Sequence, residues 1–219
     1  MAVFMKKHIP NNLQLKTKLD YLKYNNYGLP VYSWKKYNIY PEKKIMNKII
    51  LLLGDSLSIS KRITVIRFDL HLQKYSDKNE SITNFSKKLL SEFKCKYKKS
   101  FIKLFWVREQ NNSQSQHYHC ALFVDGNVIH HSASLQNMVS SCWKETNNGT
   151  HSIPKNCYYL CQQSDMSTLA NIIYRLSYLA KNVTKERKNS HTKRYGSSSL
   201  ILRKKESKPL HTILSEYIK

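Results

Sequence analysis

The chain has 219 residues, of which 37 are Lys or Arg and 14 are Asp or Glu, so that its formal charge is +23. This length and a hydrophobic content of 41% suffice for one core with an extension. The longest apolar run, residues 49–53, is too short to cross a bilayer, which argues against a membrane protein. Lysine-rich surfaces are common, but an excess this large favours a polyanionic partner such as nucleic acid.

The positive charge is unevenly distributed along the chain. Residues 111–180 carry three basic and three acidic side chains, whereas residues 61–110 and 181–219 each have a net charge of +8. A neutral segment between basic flanks suits a site that holds a cation while its surroundings contact phosphate groups.

The five cysteines form no CxxC pair, and their number is odd. Cys157 and Cys161 have no second Cys/His pair to complete a metal site, so we expect them to be ordinary strand residues. Since we see no signal peptide, we expect a reducing environment, the cytoplasm.

In chain order, residues 1–40 show weak periodicity and predict an irregular arm, which belongs to a basic N-terminal extension at 1–44 and leads into a helix. Pro41 and Glu42 open that helix, and Gly54 is expected to end it. Alternating or helical spacing of apolar residues then predicts the following elements: a strand at 64–72, a helix at 82–93, strands at 101–109 and 117–124 joined by a turn at 111–113, a helix at 135–143, a strand at 157–161 and a helix at 169–183.

This order predicts an α+β fold of the ferredoxin-like, split βαβ type. We expect an antiparallel sheet with helices on one face, the other face being free for a substrate. Residues 182–199 are polar and basic, which is typical of a loop or a DNA-contacting segment. The predicted organisation is an extension at 1–44, one domain at 45–200 and a basic tail at 201–219.

Two histidines one residue apart, His117 and His119, open a predicted strand. Residues i and i+2 point to the same face of a strand, so both imidazoles can reach one ion. Glu109 ends the preceding strand, and an antiparallel hairpin would bring its carboxylate close to them. Asp69 and His71 are reserve ligands, or groups that orient the ligands.

This donor set suits Mn, Zn, Co or Ni, and it tolerates Mg when an oxygen ligand takes part. The His-x-His string is weak evidence for a metal site by itself, because it often occurs by chance in a chain with nine histidines. The alternative is a pair of exposed or hydrogen-bonded strand histidines.

The predicted helix at 169–183 carries Tyr174, Tyr178, Lys181 and Lys185 within about 60° of one another. Its apolar residues lie on the opposite side. Cations lower the pKa of a phenol and favour the nucleophilic phenolate, and a metal ion can polarise a phosphate. Tyr-x-x-Lys occurs four times in the chain, so the string alone carries no weight. The alternative is a set of interfacial aromatic residues and solvated lysines.

Several strings occur in the order found in a known family. HYH at 117–119 and YRLSYLAK at 174–181 resemble the metal and tyrosine motifs of the HUH endonucleases. Within that class, the chain is similar to the inovirus-type replication proteins, known from prophages as the YagK/YfjJ C-terminal domain. Four further strings support the resemblance, which covers about residues 45–200: RFDLHL at 67–72, WVRE at 106–109, PKNCYYL at 154–160 and KRYGSS at 193–198.

The resemblance implies an HUH endonuclease that nicks one DNA strand through a 5′-phosphotyrosine and initiates rolling-circle replication of phage or plasmid DNA. It implies that His117 and His119 bind a divalent metal, Mg or Mn. The match is less direct for Glu109 as the third ligand, because the class varies at this position. Of the two tyrosines we favour Tyr178 for the first attack, because it alone has a lysine at i+3, Lys181. Tyr174 would then attack to release a circle.

Single-stranded or origin DNA is the expected partner, together with host replication proteins in a bacterial cytoplasm. The expected DNA contacts are the basic residues that follow the tyrosine helix: Lys185, Arg187, Lys188, Lys193 and Arg194. Two other interpretations remain, a non-catalytic, prophage-derived DNA-binding regulator and an RNA-binding module. The sequence does not indicate the origin sequence or the oligomeric state.

Overall fold

The computed structural model of the protein describes residues 3–4, 19–109, 115–182, 192–200 and 208–217. The turn expected at 111–113 lies outside these residues, as do Lys185, Arg187 and Lys188. The described part is α+β, with an antiparallel sheet and five α-helices. None of its helices combines the length and the apolar character that a membrane span needs.

The strands are β1 (Val3–Phe4), β2 (Leu19–Tyr24), β3 (Tyr27–Tyr32), β4 (Arg62–His71), β5 (Ile102–Glu109), β6 (His117–Asp125), β7 (Thr150–Ser152), β8 (Tyr158–Gln162) and β9 (Tyr195–Leu200). The helices are α1 (Lys43–Ile59), α2 (Glu80–Lys96), α3 (Ala133–Asn147), α4 (Met166–Ser177) and α5 (Leu210–Tyr217). The chain divides into two compact units: a first unit (residues 1–63, 159–183 and 204–219) and a second unit (residues 64–158 and 184–203). The expected boundaries at residues 44 and 200 stay predictions.

The second unit contains the larger sheet, in which neighbouring strands follow the order β7-β4-β6-β5-β9. The pairs β4–β7, β5–β6 and β5–β9 are antiparallel. At one end of the β5–β6 pair, Glu109 lies directly opposite His117. This register brings the predicted metal ligands together at the end of two central strands.

Helices α2 and α3 cover one face of this sheet, as the amphipathic spacing predicts. Phe85, Phe93 and Trp143 are fully buried, and they pack with Phe68 and Tyr118 from the strands in one hydrophobic core. Burying a side chain of this size contributes about 1.5–3 kcal/mol to the free energy of unfolding. The indole of Trp143 also donates a hydrogen bond to the carbonyl of His71 (3.1 Å), which ties α3 to the end of β4.

The opposite face of the sheet is not free, so the expectation of an open substrate surface is wrong for most of it. Val65, Phe105, Val107 and Phe123 on that face are at most 1% exposed. Every residue of β5 is buried, on both faces. An unbroken apolar run is typical of a strand covered on both sides, and residues 104–107 already show this pattern.

Strand β9 corrects the expectation of a loop for residues 195–199. It pairs with β5, Gly196 lying opposite Trp106. A Cβ at Gly196 would lie 2.6 Å from Cζ2 of Trp106, so only glycine allows the strand to lie flat against this indole. The small, polar sequence of β9 gives no alternating apolar signal, which explains why the pattern missed it. The short strand β7 was missed for the same reason.

In the first unit, β2 and β3 form an antiparallel hairpin, and β1 pairs with β3 in parallel. The expectation of an irregular or helical extension is therefore wrong for residues 19–32. Asn25 in the two-residue connection has a φ of 49°, the left-handed conformation that tight hairpin turns need. Helix α4 packs against β3.

Gly54 does not end α1, which continues to Ile59. A Cβ at this position would lie 2.8 Å from the backbone nitrogen of Leu210. Glycine here permits the close approach of α5, whose apolar residues Leu210, Ile213 and Leu214 are at most 1% exposed. A glycine in a helix can therefore mark a packing site rather than a helix end.

Candidate functional site

The candidate metal centre consists of Glu109, His117 and His119 in the second unit. One potential ligand atom from each lies within 4.8 Å of the others. Oε2 of Glu109 is 3.2 Å from Nε2 of His119 and 3.8 Å from Nε2 of His117. The hairpin of β5 and β6 produces this cluster, because His119 shares a face with His117, which lies opposite Glu109.

The burial and chemistry of this donor set fit a divalent cation. Glu109 is 1% exposed and His119 is 8% exposed, while His117 is half-buried. Two imidazoles and one carboxylate are typical of metal sites that keep open positions for a substrate or water.

Asp69 orients His119. Its Oδ1 lies 2.7 Å from Nδ1 of His119, which leaves Nε2 directed at Glu109. Arg67 holds the other side of Asp69, with Nη2 3.7 Å from Oδ2. Burial would raise the pKa of Asp69, but the hydrogen bond and charge of His119, with the charge of Arg67, lower it below its ordinary value. A carboxylate on the remote imidazole nitrogen is the usual second partner of a metal-bound histidine.

His71 stands beside the cluster. Its ring stacks on that of His117, with centroids 5.6 Å apart and an interplanar angle of 26°. Its Nε2 lies 3.1 Å from Oγ of Ser152 on the neighbouring strand. Of the two residues expected as reserve ligands or orienting groups, Asp69 therefore contacts a ligand through a hydrogen bond and His71 through its ring.

The two histidines of the motif have different protonation equilibria. Burial, assisted by the charge of His119, lowers the pKa of His117 to about 4, so its imidazole is neutral at pH 7. Burial alone would lower the pKa of His119, but its hydrogen bonds with Asp69 and Glu109 outweigh burial and raise it. A metal ion on Nε2 of His119 would replace the proton there, so metal binding and protonation compete.

The tyrosine segment belongs to the first unit, and its helix is shorter than expected. Helix α4 ends at Ser177, and residues Tyr178–Ala180 form a 3-10 turn, so the helix does not reach residue 183. Residues i and i+3 eclipse each other in a 3-10 helix. Accordingly, Nζ of Lys181 donates a hydrogen bond to Oη of Tyr178 at 3.1 Å, and it lies 4.4 Å from the ring centre. The contact expected from the i+3 spacing is present.

Tyr174 is buried, so the expectation that one helix face exposes both phenols is wrong for this residue. Its side chain is 8% exposed, and its ring centre lies 6.3 Å from that of Tyr32. Burial, with the neighbouring Tyr32, raises the pKa of Tyr174 to about 12. Regular helical spacing predicts the face on which this ring lies, but it does not predict that the β2–β3 hairpin packs against that face of α4.

Tyr32, the last residue of β3, packs against the tyrosine segment, and no sequence pattern predicted this contact. Its ring meets that of Tyr178 edge to face, with centroids 5.2 Å apart, and its backbone N–H donates to Oγ of Ser177 at 2.7 Å. It therefore positions both the end of α4 and the ring of Tyr178. No local signal could identify it, since its partners lie about 145 residues away.

Of the five expected DNA-contacting residues, Lys193 and Arg194 are described. They precede β9, and their carbonyls accept hydrogen bonds from Asn79 (2.8 Å) and from the backbone of Arg108 (2.7 Å). Lys193 is exposed and Arg194 is partly buried. The backbone of this part of the segment is therefore fixed to the second unit.

The fold and the cluster define an α+β protein in which an antiparallel sheet carries a candidate metal centre. The sequence model of the YagK/YfjJ C-terminal domain matches residues 25–198, and the chain belongs to that family. The match begins within the hairpin of the first unit, earlier than the resemblance in the sequence indicated. No curated protein and no solved structure matches the chain.

Proposed function

We propose that the protein nicks and joins single-stranded DNA with a tyrosine nucleophile and a divalent metal, Mg or Mn. The observation that carries the proposal is the convergence of Glu109, His117 and His119, with Asp69 orienting one of the imidazoles. A metal held there would polarise the scissile phosphate and stabilise charge on its non-bridging oxygens.

The proposed fold is the ferredoxin-like sheet of the HUH endonucleases. Its support is the strand order, since β6 is inserted between β4 and β5, which is the split βαβ arrangement. The two helices that cover one face, α2 and α3, occupy the positions in the chain that this arrangement requires.

Tyr178 is the proposed nucleophile. The hydrogen bond from Nζ of Lys181 holds the phenol oxygen in place, and the phenol gives its proton to solvent as it attacks. Oη of Tyr178 then bonds to phosphorus while the bond to the 3′-oxygen breaks, which yields a 5′-phosphotyrosine and, after protonation, a free 3′-hydroxyl. Such an end would prime rolling-circle synthesis of a phage or plasmid replicon.

The second attack is proposed for Tyr174 only after a rearrangement. In the structure its phenol is buried against Tyr32, and its pKa of about 12 disfavours ionisation. Tyr174 would have to leave this contact before it could release a circle.

Labelled single-stranded DNA incubated with the protein and Mn²⁺ tests the proposal on a denaturing gel. We expect a covalent adduct that maps to Tyr178 by mass spectrometry, and its loss in Tyr178→Phe. His117→Ala combined with His119→Ala should also lose the adduct but retain DNA binding. Binding without any adduct would favour a DNA-binding regulator, and preferential binding of RNA would favour an RNA-binding module.

A further inference from the structure

Residues 34–40 form a closed loop, the 34–40 tip, shortly after the end of β3. The backbone N–H of Trp34 donates to the carbonyl of Ile39 at 2.9 Å, and the N–H of Ile39 donates back at 3.2 Å. A 3-10 turn fills the loop, and Asn38 closes it with a φ of 52°. The backbone hydrogen bonds give the tip a defined shape.

The tip exposes aromatic and basic side chains together. Tyr37 is 52% exposed and Tyr40 is 38% exposed, and Lys35 and Lys36 are exposed as well. An edge-to-face contact with Trp34, with ring centroids 4.2 Å apart, holds the ring of Tyr37 in place. A large ring that the core does not use is available to stack on a ligand.

The tip is fastened to the segment that follows Tyr178. The N–H of Asn182 donates to the carbonyl of Tyr40 at 2.9 Å, and the N–H of Tyr40 donates to the side chain of Asn182 at 3.0 Å. The N–H of Glu42 donates to the carbonyl of Ala180 at 2.7 Å. Asn182, which holds the tip, therefore lies only four positions after Tyr178 in the chain.

We propose that the 34–40 tip binds single-stranded DNA and holds the strand near Tyr178. The tip binds bases by stacking on Tyr37 and phosphates through Lys35 and Lys36, the combination that proteins use for single strands without sequence preference. Residues 34–40 contain no acidic side chain to repel the backbone. The ion pair of Lys35 with Asp20, at 3.8 Å, is exposed and therefore weak enough to exchange for a phosphate.

A single strand fits this surface better than a duplex, because paired bases hide the faces on which a tyrosine stacks. The role of Tyr178 rests on the proposed function, but the binding of a strand by the tip does not. Binding is therefore measured without chemistry, by fluorescence anisotropy of a labelled oligo(dT) with the full-length protein in EDTA.

Tyr37→Ala should weaken binding by about fivefold or more, and Tyr37→Phe, which keeps the ring, should bind within about twofold of the wild type. Lys35→Ala with Lys36→Ala should lower the slope of log affinity against log salt by about 1.4, which corresponds to two phosphates. Lys98→Ala with Lys99→Ala, an exposed pair in the second unit, is the matched control and should have a smaller effect.

Unchanged binding of Tyr37→Ala, or an equal loss in the control pair, would overturn the inference. Tighter binding of oligo(rU) that depends on Tyr37 would also overturn it, since the strand would then be RNA. Circular dichroism and the melting temperature verify that each variant is folded. A wild type that binds through Tyr37 but never nicks would refute the proposed function and leave this inference standing.

Discussion

At the scale of single residues, Asp69 contacts the candidate metal centre through His119 without belonging to it. Asp69→Asn keeps the shape of the side chain but removes the negative charge beside Nδ1 of His119. We expect metal affinity to fall by about 10- to 100-fold, because metal sites lose that much when such a partner is removed. Titration calorimetry with Mn²⁺ measures the change.

Asp77→Asn is the control for this experiment, since Asp77 is an exposed carboxylate of the same unit. Equal affinity of Asp69→Asn and the wild type would show that Asp69 does not orient the ligand.

Tyr174 predicts a loss of stability at alkaline pH. Its pKa is about 12 in the folded protein and about 10 in an unfolded chain. The stability contributed by the neutral phenol is fully present below pH 10 and is lost as the pH rises through about 12. At pH 11 the loss is about 1.4 kcal/mol. Between pH 9 and pH 11 the free energy of unfolding, measured with urea, should fall less in Tyr174→Phe than in the wild type, by about this amount.

The control is Tyr37→Phe, which changes a tyrosine that is 52% exposed. Between pH 9 and pH 11 its free energy of unfolding should change by as much as that of the wild type. The same pH difference in Tyr174→Phe and the wild type would contradict the prediction.

At the scale of elements, the edge strand β9 depends on one glycine. Gly196→Ala places a Cβ 2.6 Å from Trp106, so the strand or the indole must shift. We expect the free energy of unfolding to fall by about 1–3 kcal/mol, the usual effect of overpacking. Urea denaturation measures it, with Ser199→Val at an exposed position of β9 as the control. Equal stability of the two variants would mean that the contact is easily relieved.

The central elements of the second unit were predictable because each carries a strong period. Ile82, Phe85, Leu89 and Phe93 repeat at helical spacing and all lie at 0% exposure. The hairpin of β2 and β3 pairs locally, but its sequence shows no strong alternation. The edge strands β7 and β9 also lack such a period, and each pairs with a strand far away in the chain. Propensity alone cannot reveal partners of that kind.

The candidate site was also predictable only in part. Glu109, His117 and His119 meet because hairpin register follows from the alternation of adjacent strands. Asp69 was expected either as a reserve ligand or as an orienting group, and only the structure shows its hydrogen bond with His119. Tyr32 and the burial of Tyr174 depend on packing of α4 against β3, which no local pattern encodes.

At the scale of the whole molecule, the charge of +23 predicts DNA affinity that falls steeply with salt. Replacing Lys185, Arg187 and Lys188 by Ala should weaken binding and lower the salt slope by about 2 on a single strand. If the proposed function holds, the rate of nicking at saturating DNA should be unchanged, because we expect these residues to supply affinity rather than chemistry. Anisotropy at several salt concentrations, with a nicking assay, measures both quantities.

Replacing Lys94, Lys96 and Lys98 by Ala removes the same charge from an exposed part of the second unit and is the control. An equal fall in affinity and slope would assign the effect to total charge rather than to the segment after the tyrosines. Substitutions are preferable to deleting residues 185–219, because that deletion would also remove β9 and α5.

The three separate segments of the first unit impose an order on its assembly. The hairpin of β2 and β3 leaves the ribosome early, but Ser177, which accepts a hydrogen bond from Tyr32, is synthesised about 145 residues later. The surface around Gly54 waits longer still, until α5 emerges near the end of the chain. Contacts so distant in sequence form slowly. Most of the sheet can therefore close around its core before the phenol of Tyr178 acquires its final neighbours, so a nascent or truncated chain would assemble the candidate metal centre before the surroundings of Tyr178 are in place.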